Sequence, residues 1–336
     1  MTRIGLMGFG RIGRNLFRQL ADRDDMEVVA VVDRADPEAL TYLLKYDSIY
    51  GRFAHDVEYT DGALRFDGRA IPFIAVETPS ELDWTEYDVD IVVQALGQSR
   101  SLEYVEQHLA AGAPRVVLAS TPEVPGEMPI LIPGINDEVL DDAPKIIAMG
   151  SNTSQAMVPV LAALDAEFGI DNAFFTTVHA FTSGQRLADV PTKSFRTSRA
   201  AAENIIPSGT NSPEIITQIL PQLEGKIAAM ALNVPVPDGS TVDMVVRLSR
   251  PSSKEGVNAA LEAAASGATG IDYTEDPIVS SDVRGSTASG IVDGLATMAM
   301  DGDLVKVVTW FDNGWGYTAR MIEAIEEITQ HEGVSA

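Results

Sequence analysis

The fold of this chain is decided near its start by a glycine-rich turn, Gly8-Phe9-Gly10-Arg11-Ile12-Gly13. An apolar run at 3–8 leads into the turn, and residues 14–20 follow it with the apolar spacing of a helix. Strand, glycine turn and helix in this order are typical of dinucleotide-binding proteins, because glycine lets the backbone approach a pyrophosphate and the helix start supplies amide donors. The stretch therefore predicts a dinucleotide site formed by the three glycines, Arg11 and Ile12, with a bare structural turn as the alternative.

An acidic residue ends the next apolar run, at 26–33. Asp33 follows the third glycine by about 20 residues, where a carboxylate accepts hydrogen bonds from ribose hydroxyls and repels a 2′-phosphate. This favours NAD as the cofactor. NADP stays open because the guanidinium of the neighbouring Arg34 can hold a 2′-phosphate.

Further apolar runs extend this pattern into a sheet. Runs at 90–97 and 115–120 flank a predicted helix at 102–111, and strands that alternate with helices indicate a parallel, doubly wound sheet. Gly97 and Ser120, which end these two runs, are predicted to line the cofactor site. Aspartate–glycine pairs within 59–74 predict an antiparallel hairpin insertion.

The composition limits the remaining possibilities. With 336 residues, 45% of them hydrophobic, the chain is long enough for about two domains. It has no apolar stretch of the roughly 18 residues that a membrane helix needs, and no secretion signal at its start, so we expect a cytoplasmic protein. The absence of cysteine excludes disulfides and thiolate metal sites, and we predict no bound metal.

The formal net charge of −25 argues against nucleic acid and anionic membranes as partners. Arginine supplies 18 of the 24 cationic residues and lysine only six. Such self-repulsion calls for screening, and the Debye length shortens to about 3 Å at 1 M salt. We therefore expect adaptation to high salt; an ordinary acidic cytosolic enzyme is the alternative.

Several longer motifs resemble those of the glyceraldehyde-3-phosphate dehydrogenase family. They occupy residues 43–53, 151–155, 176–179, 199–207 and 310–317, and the likeness extends over about 2–330. The resemblance implies an α/β fold with an N-terminal Rossmann domain (1–151 plus the C-terminal helix in 317–336) and an α/β catalytic domain (152–316) over a mostly antiparallel sheet. It also implies a homotetramer acting on a small-molecule substrate.

The family's catalytic cysteine is replaced here by Asn152. A carboxamide cannot attack an aldehyde or hold an acyl thioester. Asn152, Ser151 and Thr153 begin a predicted helix, so one reading is simply a helix cap. The other is that Asn152 donates a hydrogen bond to a substrate oxygen.

His179 ends an apolar strand, where a lone histidine is more often structural. The resemblance instead implies a general base, and a histidine that titrates near neutral pH can serve any transfer of a proton between alcohol and carbonyl. The resemblance further implies that Asn313 binds the nicotinamide carboxamide and that Tyr317 keeps the family's aromatic residue near the cofactor. Gly314 stands where the family has glutamate.

The predicted substrate pocket has lost its cations. Of the family's two anion sites, this chain keeps Ser151, Thr153, Thr182 and Thr210, and Gln185 is predicted to join them. Asn233 and Thr197 replace arginines, Gly184 replaces a threonine and Asn211 a glycine. An arginine–phosphate contact is worth roughly 1.5–3 kcal/mol per bond, so these losses indicate either the drift of an inactive enzyme or a less anionic substrate.

We therefore predict an NAD-dependent oxidoreductase that transfers hydride directly to or from a small polar carbonyl or alcohol, with His179 as acid/base. The alternative is an inactive NAD-binding pseudoenzyme with a regulatory or structural role. The coordinated changes at Gly184, Thr197 and Asn233 disfavour a normal dehydrogenase in which the nucleophile alone was substituted.

Overall fold

The computed structural model describes residues 1–267 and 270–334, the last four of these by their backbone only. The chain divides into two compact units. Unit 1 comprises Met1–Ile132, Asn136–Gly150 and the chain from Met321 onward; unit 2 comprises Pro133–Ile135 and Ser151–Arg320.

The described residues form seven α-helices: α1 (Arg11–Leu20), α2 (Pro37–Lys45), α3 (Leu102–Ala110), α4 (Asn152–Phe168), α5 (Ser212–Ile219), α6 (Lys254–Ala265) and α7 (Trp315–Val334). Short 3-10 helices lie at Pro79–Glu81, Trp84–Tyr87, Asp137–Leu140 and Pro221–Leu223. None of the helices in the described ranges is both long and apolar enough to cross a membrane.

The strands of unit 1 are β1 (Thr2–Met7), β2 (Met26–Val32), β3 (Tyr46–Asp47), β4 (Gly51–Arg52), β5 (Val57–Thr60), β6 (Ala63–Phe66), β7 (Arg69–Ile74), β8 (Ile91–Gln94), β9 (Val116–Leu118) and β10 (Ile146–Ala148). Apart from the β3–β4 pair, they form one sheet in the order β10-β9-β8-β1-β2-β7-β6-β5. Neighbours from β10 to β7 are parallel, whereas β5, β6 and β7 are antiparallel. The predicted Rossmann domain is confirmed.

The core of unit 1 contains a structural histidine. His108 is fully buried; its Nδ1 accepts a hydrogen bond from Trp84 Nε1 at 3.1 Å, and its Nε2 lies 3.0 Å from Gln94 Oε1. Burial lowers the pKa of His108 to about 3, so the ring is neutral at physiological pH and its Nε2–H donates to Gln94.

The strands of unit 2 are β11 (Ile170–Ala180), β12 (Ile206–Ser208), β13 (Ile227–Val234), β14 (Ser240–Leu248), β15 (Ile271–Thr274), β16 (Gly290–Asp293), β17 (Met298–Met300) and β18 (Leu304–Phe311). Their order is β12-β13-β11-β14-β18-β16-β15, with β17 on β18. Only β11–β13 and β15–β16 are parallel among the described pairs, which confirms the mostly antiparallel second sheet.

The unit 2 sheet buries one of its faces. On β14, alternate residues from Ser240 to Leu248 are buried, as expected for a strand covered on one side. Helix α4 packs on β14, β16 and β18 and also contacts α5 and α6. The opposite face leaves apolar side chains exposed, among them Phe174, Met230 and Val245.

Candidate active site

The glycine turn of unit 1 has no room for side chains at two positions. Gly8 adopts a φ of 99°, and a Cβ there would lie 2.7 Å from the carbonyl of Ala95. A Cβ on Gly13 would lie 2.0 Å from the carbonyl oxygen of Gly8. At Gly10, by contrast, an added Cβ would meet no atom within 4 Å of the described chain.

The start of α1 offers amide donors to an anion. Gly10 is the N-cap residue, Arg11 and Ile12 form the first turn, and no side chain among the described residues caps this end. The first amide groups of a helix have no partner within the helix and carry its positive dipole end. This arrangement fits a dinucleotide pyrophosphate, since a Cβ would fill the turn and a capping side chain would compete for the amides.

Asp33 is fixed at the end of β2. Its Oδ2 accepts from the Phe9 N–H at 2.7 Å, and its Oδ1 accepts from the Ala35 N–H at 2.9 Å. It lines a cavity of about 300 Å³ together with Arg34, Glu77, Gly97 and Tyr104, among others. Arg34 Nη1 lies 3.3 Å from Glu77 Oε2, and both side chains are about 70% exposed.

Two further predicted cofactor residues lie in different settings. Ser120 follows β9 and donates from its Oγ to the Thr121 carbonyl at 3.3 Å. Tyr317, in the first turn of α7, is 5% exposed, and burial raises the pKa of its phenol far above the usual value. A contact of either residue with the cofactor stays a prediction.

Asn152 lies at the first position of α4. The cap itself is Ser151, which forms a reciprocal capping box with Ser154: the Ser154 N–H donates to Ser151 Oγ at 3.0 Å, and the Ser151 N–H donates to Ser154 Oγ at 2.8 Å. Asn152 Oδ1 accepts from the Thr153 N–H at 2.8 Å, and Asn152 Nδ2 donates to the Asn313 carbonyl at 2.8 Å. Since a primary amide has two N–H groups, one donor beyond the Asn313 bond is available to a ligand.

His179, near the end of β11, is held in one tautomer. Its Nδ1 lies 2.6 Å from the carbonyl oxygen of Ala180, which can only accept, so Nδ1 carries the hydrogen. The lone pair therefore belongs to Nε2, which lies 3.3 Å from the donor Asn313 Nδ2. The ring packs edge-on against Phe311, with centroids 6.1 Å apart.

Asn313 joins the two predicted catalytic residues. Its Nδ2 lies 3.3 Å from each nitrogen of the His179 ring, while its backbone carbonyl accepts the Asn152 bond. Its Oδ1 accepts from Ser240 Oγ at 2.9 Å and from the Gly239 N–H at 3.2 Å. These two donors fix the amide orientation, because they require an oxygen on their side and so turn the nitrogen toward His179.

Two buried carboxyl groups lie next to Asn313: Asp312 precedes it in the chain, and Asp238 accepts its backbone N–H. Asp238 and Asp312 are each 1% exposed. Asp312 accepts three backbone N–H bonds, from Gly314 at 2.7 Å, Trp315 at 2.6 Å and Gly285 at 2.8 Å. Burial, followed by the negative charge of Asp312, raises the pKa of Asp238 to about 7.

Sequence reasoning missed the turn formed by Asp238, Gly239 and Ser240. Its only local signal is a proline–aspartate–glycine sequence between two strands, which predicts a turn but no contact with Asn313.

The predicted substrate residues fall into three local groups. Asn233 on β13 is the register partner of His179 on β11, and its Nδ2 donates to Ser208 Oγ at 2.8 Å. Thr182 donates to Gln185 Oε1 from its N–H at 2.5 Å and from its Oγ1 at 2.9 Å. Thr210 lies before α5, where its Oγ1 is 2.8 Å from Ser212 Oγ. Asn233 thus lies beside the histidine on the adjacent strand, with its amide bonded to a hydroxyl group.

A Rossmann unit whose glycine turn fits a dinucleotide pyrophosphate is typical of nicotinamide-dependent dehydrogenases. Family models agree: "Glyceraldehyde 3-phosphate dehydrogenase, NAD binding domain" matches residues 2–102, and "Glyceraldehyde 3-phosphate dehydrogenase, C-terminal domain" matches residues 151–313.

Whole-chain relatives give the same result. The chain is 42% identical over 325 residues to glyceraldehyde-3-phosphate dehydrogenase 2 of Streptomyces avermitilis and 41% identical over 325 residues to the enzyme of Geobacillus stearothermophilus, with 96% of each chain covered in both cases. It is 37% identical over 332 residues to glyceraldehyde-3-phosphate dehydrogenase 1 of Bacillus cereus, covering 98% of this chain and 99% of the relative. The chain belongs to the glyceraldehyde-3-phosphate dehydrogenase family of NAD-dependent oxidoreductases, as its motifs predicted, and it is a member without cysteine.

Proposed function

We propose that this chain transfers hydride directly between NAD and a small polar carbonyl or alcohol, such as a sugar or sugar phosphate, without a covalent intermediate. The observation that carries the proposal is the His179 ring, whose Nδ1–H is bonded to the Ala180 carbonyl so that the lone pair is on Nε2. A substrate hydroxyl would take the place of the Asn313 amide, which lies 3.3 Å from Nε2. The sequence contains no cysteine, so the thioester route has no nucleophile.

NAD held at the start of α1 and by Asp33 would accept or supply the hydride, and residues of unit 2 act on the proton and the oxygen. During oxidation of an alcohol, His179 Nε2 accepts the hydroxyl proton; during reduction it returns that proton to the new alkoxide. The second N–H of Asn152 is a donor for the same oxygen, at the amide-rich start of α4. The role of Asn313 toward nicotinamide stays a prediction from the resemblance.

Asn233, which stands where the family has an arginine, supports a substrate with little negative charge. Asn233 and Ser208 bond to each other beside the histidine, where a cation would favour a phosphate. We propose that the substrate is recognised there through hydroxyl or carbonyl groups.

A second candidate is the NAD-binding pseudoenzyme. It is favoured by Asn152, whose side chain is bonded at both ends within unit 2, as a purely structural residue would be.

Turnover separates the two candidates. NADH and NADPH oxidation is measured across small aldehydes, ketones and sugar phosphates, in low salt and in molar KCl. Turnover with one substrate class supports the enzyme, and tight NAD binding without turnover supports the pseudoenzyme. Oxidation of glyceraldehyde 3-phosphate with inorganic phosphate at an ordinary rate would contradict the thiol-free mechanism.

The salt arm of this assay tests the proposed adaptation to high salt. At a net charge of −25 we expect stability and any activity to rise toward molar KCl, because screening weakens self-repulsion. If the protein were equally stable in low salt and in molar KCl, the result would favour an ordinary acidic enzyme. We place the protein in the cytoplasm, where NAD is available, and cell fractionation tests this.

NAD is proposed as the cofactor in preference to NADP. The Asp33 carboxylate repels a 2′-phosphate, and the Arg34 guanidinium that could attract one is paired with Glu77. Asp33→Asn removes the charge and keeps an oxygen acceptor for one of the two backbone N–H groups, so we expect the ratio of NADPH to NADH dissociation constants to fall about tenfold, since a charged hydrogen bond is worth about 1.5–3 kcal/mol. Calorimetric titration measures both constants, with Asp36→Asn at the α2 N-cap as the control. An unchanged ratio would show that the Asp33 charge does not determine the selectivity for NAD over NADP.

We propose a homotetramer, as the family resemblance implies. The exposed apolar face of the unit 2 sheet supports this: Phe174 is 67% exposed and is the register partner of Val245 on β14, itself 37% exposed. Large contiguous apolar surfaces of this kind mark protein interfaces. Light scattering is expected to give four times the chain mass for the wild type and a smaller assembly for Phe174→Glu. A wild-type monomer would refute the proposal.

A further inference from the structure

We propose that Asp238 and Asp312 share one proton and that this proton positions Asn313, and through it His179. Asp238 is therefore a positioning residue for the proposed acid/base. The inference rests on the proposed role of His179, but the measurements below do not depend on turnover.

The two carboxyl groups are too deeply buried for both to be ionised. Both side chains are buried, and Asp238 Oδ2 has no hydrogen-bond partner among the described residues. Asp312 lies close enough to Asp238 for its negative charge to act on that carboxyl group. Two adjacent carboxylates without solvent cannot both be ionised at low cost, so one of them keeps its proton. Asp312 accepts three backbone N–H bonds and is the better carboxylate, which leaves Asp238 as the acid that donates to it.

Asn313 connects the carboxyl pair to His179. Asp238 Oδ1 accepts from the Asn313 backbone N–H at 3.3 Å. The next two residues after Asp238, Gly239 and Ser240, hold the Asn313 side-chain oxygen, and Ser240 Oγ also accepts from the Ala180 N–H at 2.9 Å. One short turn thus fixes both the backbone and the amide of Asn313, whose nitrogen faces the His179 ring.

Loss of the shared proton would disturb the orientation of Asn313. Asp238 and Asp312 would then both be negatively charged, and the repulsion between them would displace the turn that carries Gly239 and Ser240. The Asn313 amide would then lose the donors that orient it, and His179 would lose its neighbour.

Asp312 is the titratable group that raises the pKa of Asp238, while the Asn313 and Gly239 backbone N–H groups lower it. On the 282–285 segment, which reaches Asp312 through Gly285, the charged residues Asp282 and Arg284 are exposed. His179 is the nearest titratable group on β11, beyond the Asn313 amide.

The sign of the pH dependence follows from the raised pKa. The folded state keeps a proton that the unfolded chain has already released, between about pH 4 and about pH 7. Unfolding then releases a proton in this window, so the contribution of the pair to stability falls as the pH rises and becomes constant above about pH 7.

The experiment compares wild type, Asp238→Asn and the control Asp303→Asn. Asparagine at 238 can still donate to Asp312 but cannot titrate. Asp303 is a partly exposed carboxylate of unit 2 paired with Arg247 at 2.5 Å, so its replacement should leave the effect intact. Denaturant unfolding is measured from about pH 4 to about pH 8, and His179 is followed by NMR of protein labelled with carbon-13 at histidine Cε1.

We expect the stability of wild type and Asp303→Asn, each relative to Asp238→Asn, to fall across this window. We also expect the His179 signal to show a second inflection as the pair titrates, and Asp238→Asn to lack it. A flat stability difference would show that no proton is shared. A sloping difference with identical His179 titrations in wild type and Asp238→Asn would show that the pair serves stability alone, which overturns the positioning role.

A wild-type measurement covers the case in which Asp238→Asn does not fold. At about pH 6 the exposed carboxyl groups are ionised, so the infrared carbonyl band of a protonated carboxylic acid reports a buried one. We expect this band to persist at about pH 6 and to disappear by about pH 8, together with the second His179 inflection. Its absence at about pH 6 would overturn the proposal.

Discussion

Replacing His179 with alanine is expected to lower the turnover number for the carbonyl or alcohol substrate by about 10²–10⁴-fold, the range typical for removal of a general acid/base. The imidazole is the group whose tautomer is fixed for proton transfer, because Nδ1 donates to the Ala180 carbonyl. Binding of NADH should change little, since the dinucleotide turn and Asp33 belong to unit 1. Steady-state kinetics and a separate binding titration distinguish the two effects.

His55 provides the matched control for this substitution. It is a surface histidine of unit 1 whose ring nitrogens lie 2.7 Å from Asp67 and 3.1 Å from Asp22. Neighbouring carboxylates raise its pKa, although its partial burial acts in the opposite direction. His55→Ala should therefore affect stability at acidic pH and leave the turnover number unchanged. Equal turnover by His179→Ala and wild type would mean that another group moves the proton.

Features encoded by contiguous residues could be predicted from the sequence. The strand, glycine turn and helix at 3–20 are one such case, because each element is specified by its own apolar spacing and by glycines at fixed positions. The structure confirms the Rossmann domain and the mostly antiparallel second sheet. It also begins α4 at Asn152, after the capping box of Ser151 and Ser154, as expected for a helix that starts within the 151–155 motif.

The arrangement around Asn313 could not be predicted in this way. Its side-chain oxygen is held by Ser240, 73 residues earlier in the chain, and its carbonyl by Asn152, 161 residues earlier. Such contacts depend on the register between strands, which a single sequence does not specify at the level of individual side chains. The sequence could identify Asn152 as the residue in place of the nucleophile, but not that its side chain would bridge Thr153 and Asn313.

Replacing Gly13 with alanine is expected to lower the free energy of unfolding of unit 1 by about 3 kcal/mol, at the upper end of the usual cost of overpacking. The added Cβ would lie 2.0 Å from the Gly8 carbonyl oxygen, and both partners are backbone atoms that cannot rotate away. Gly8 is itself anchored, since its N–H donates to the Val32 carbonyl at 2.7 Å and its φ of 99° excludes an easy shift. The turn must therefore open, and NADH affinity should fall together with thermal stability.

Gly10→Ala separates packing from binding within the same motif. An added Cβ at Gly10 meets nothing within 4 Å of the described chain, and its φ of −69° suits alanine, so the melting temperature should stay close to that of the wild type. The methyl group would nevertheless occupy space at the start of α1, where the pyrophosphate of a bound dinucleotide approaches the backbone. We therefore expect Gly10→Ala to weaken NADH binding without unfolding, whereas Gly13→Ala weakens both. If Gly10→Ala bound NADH as tightly as the wild type, the dinucleotide would not approach the backbone at this turn, and the assignment of the cofactor site would have to move away from α1.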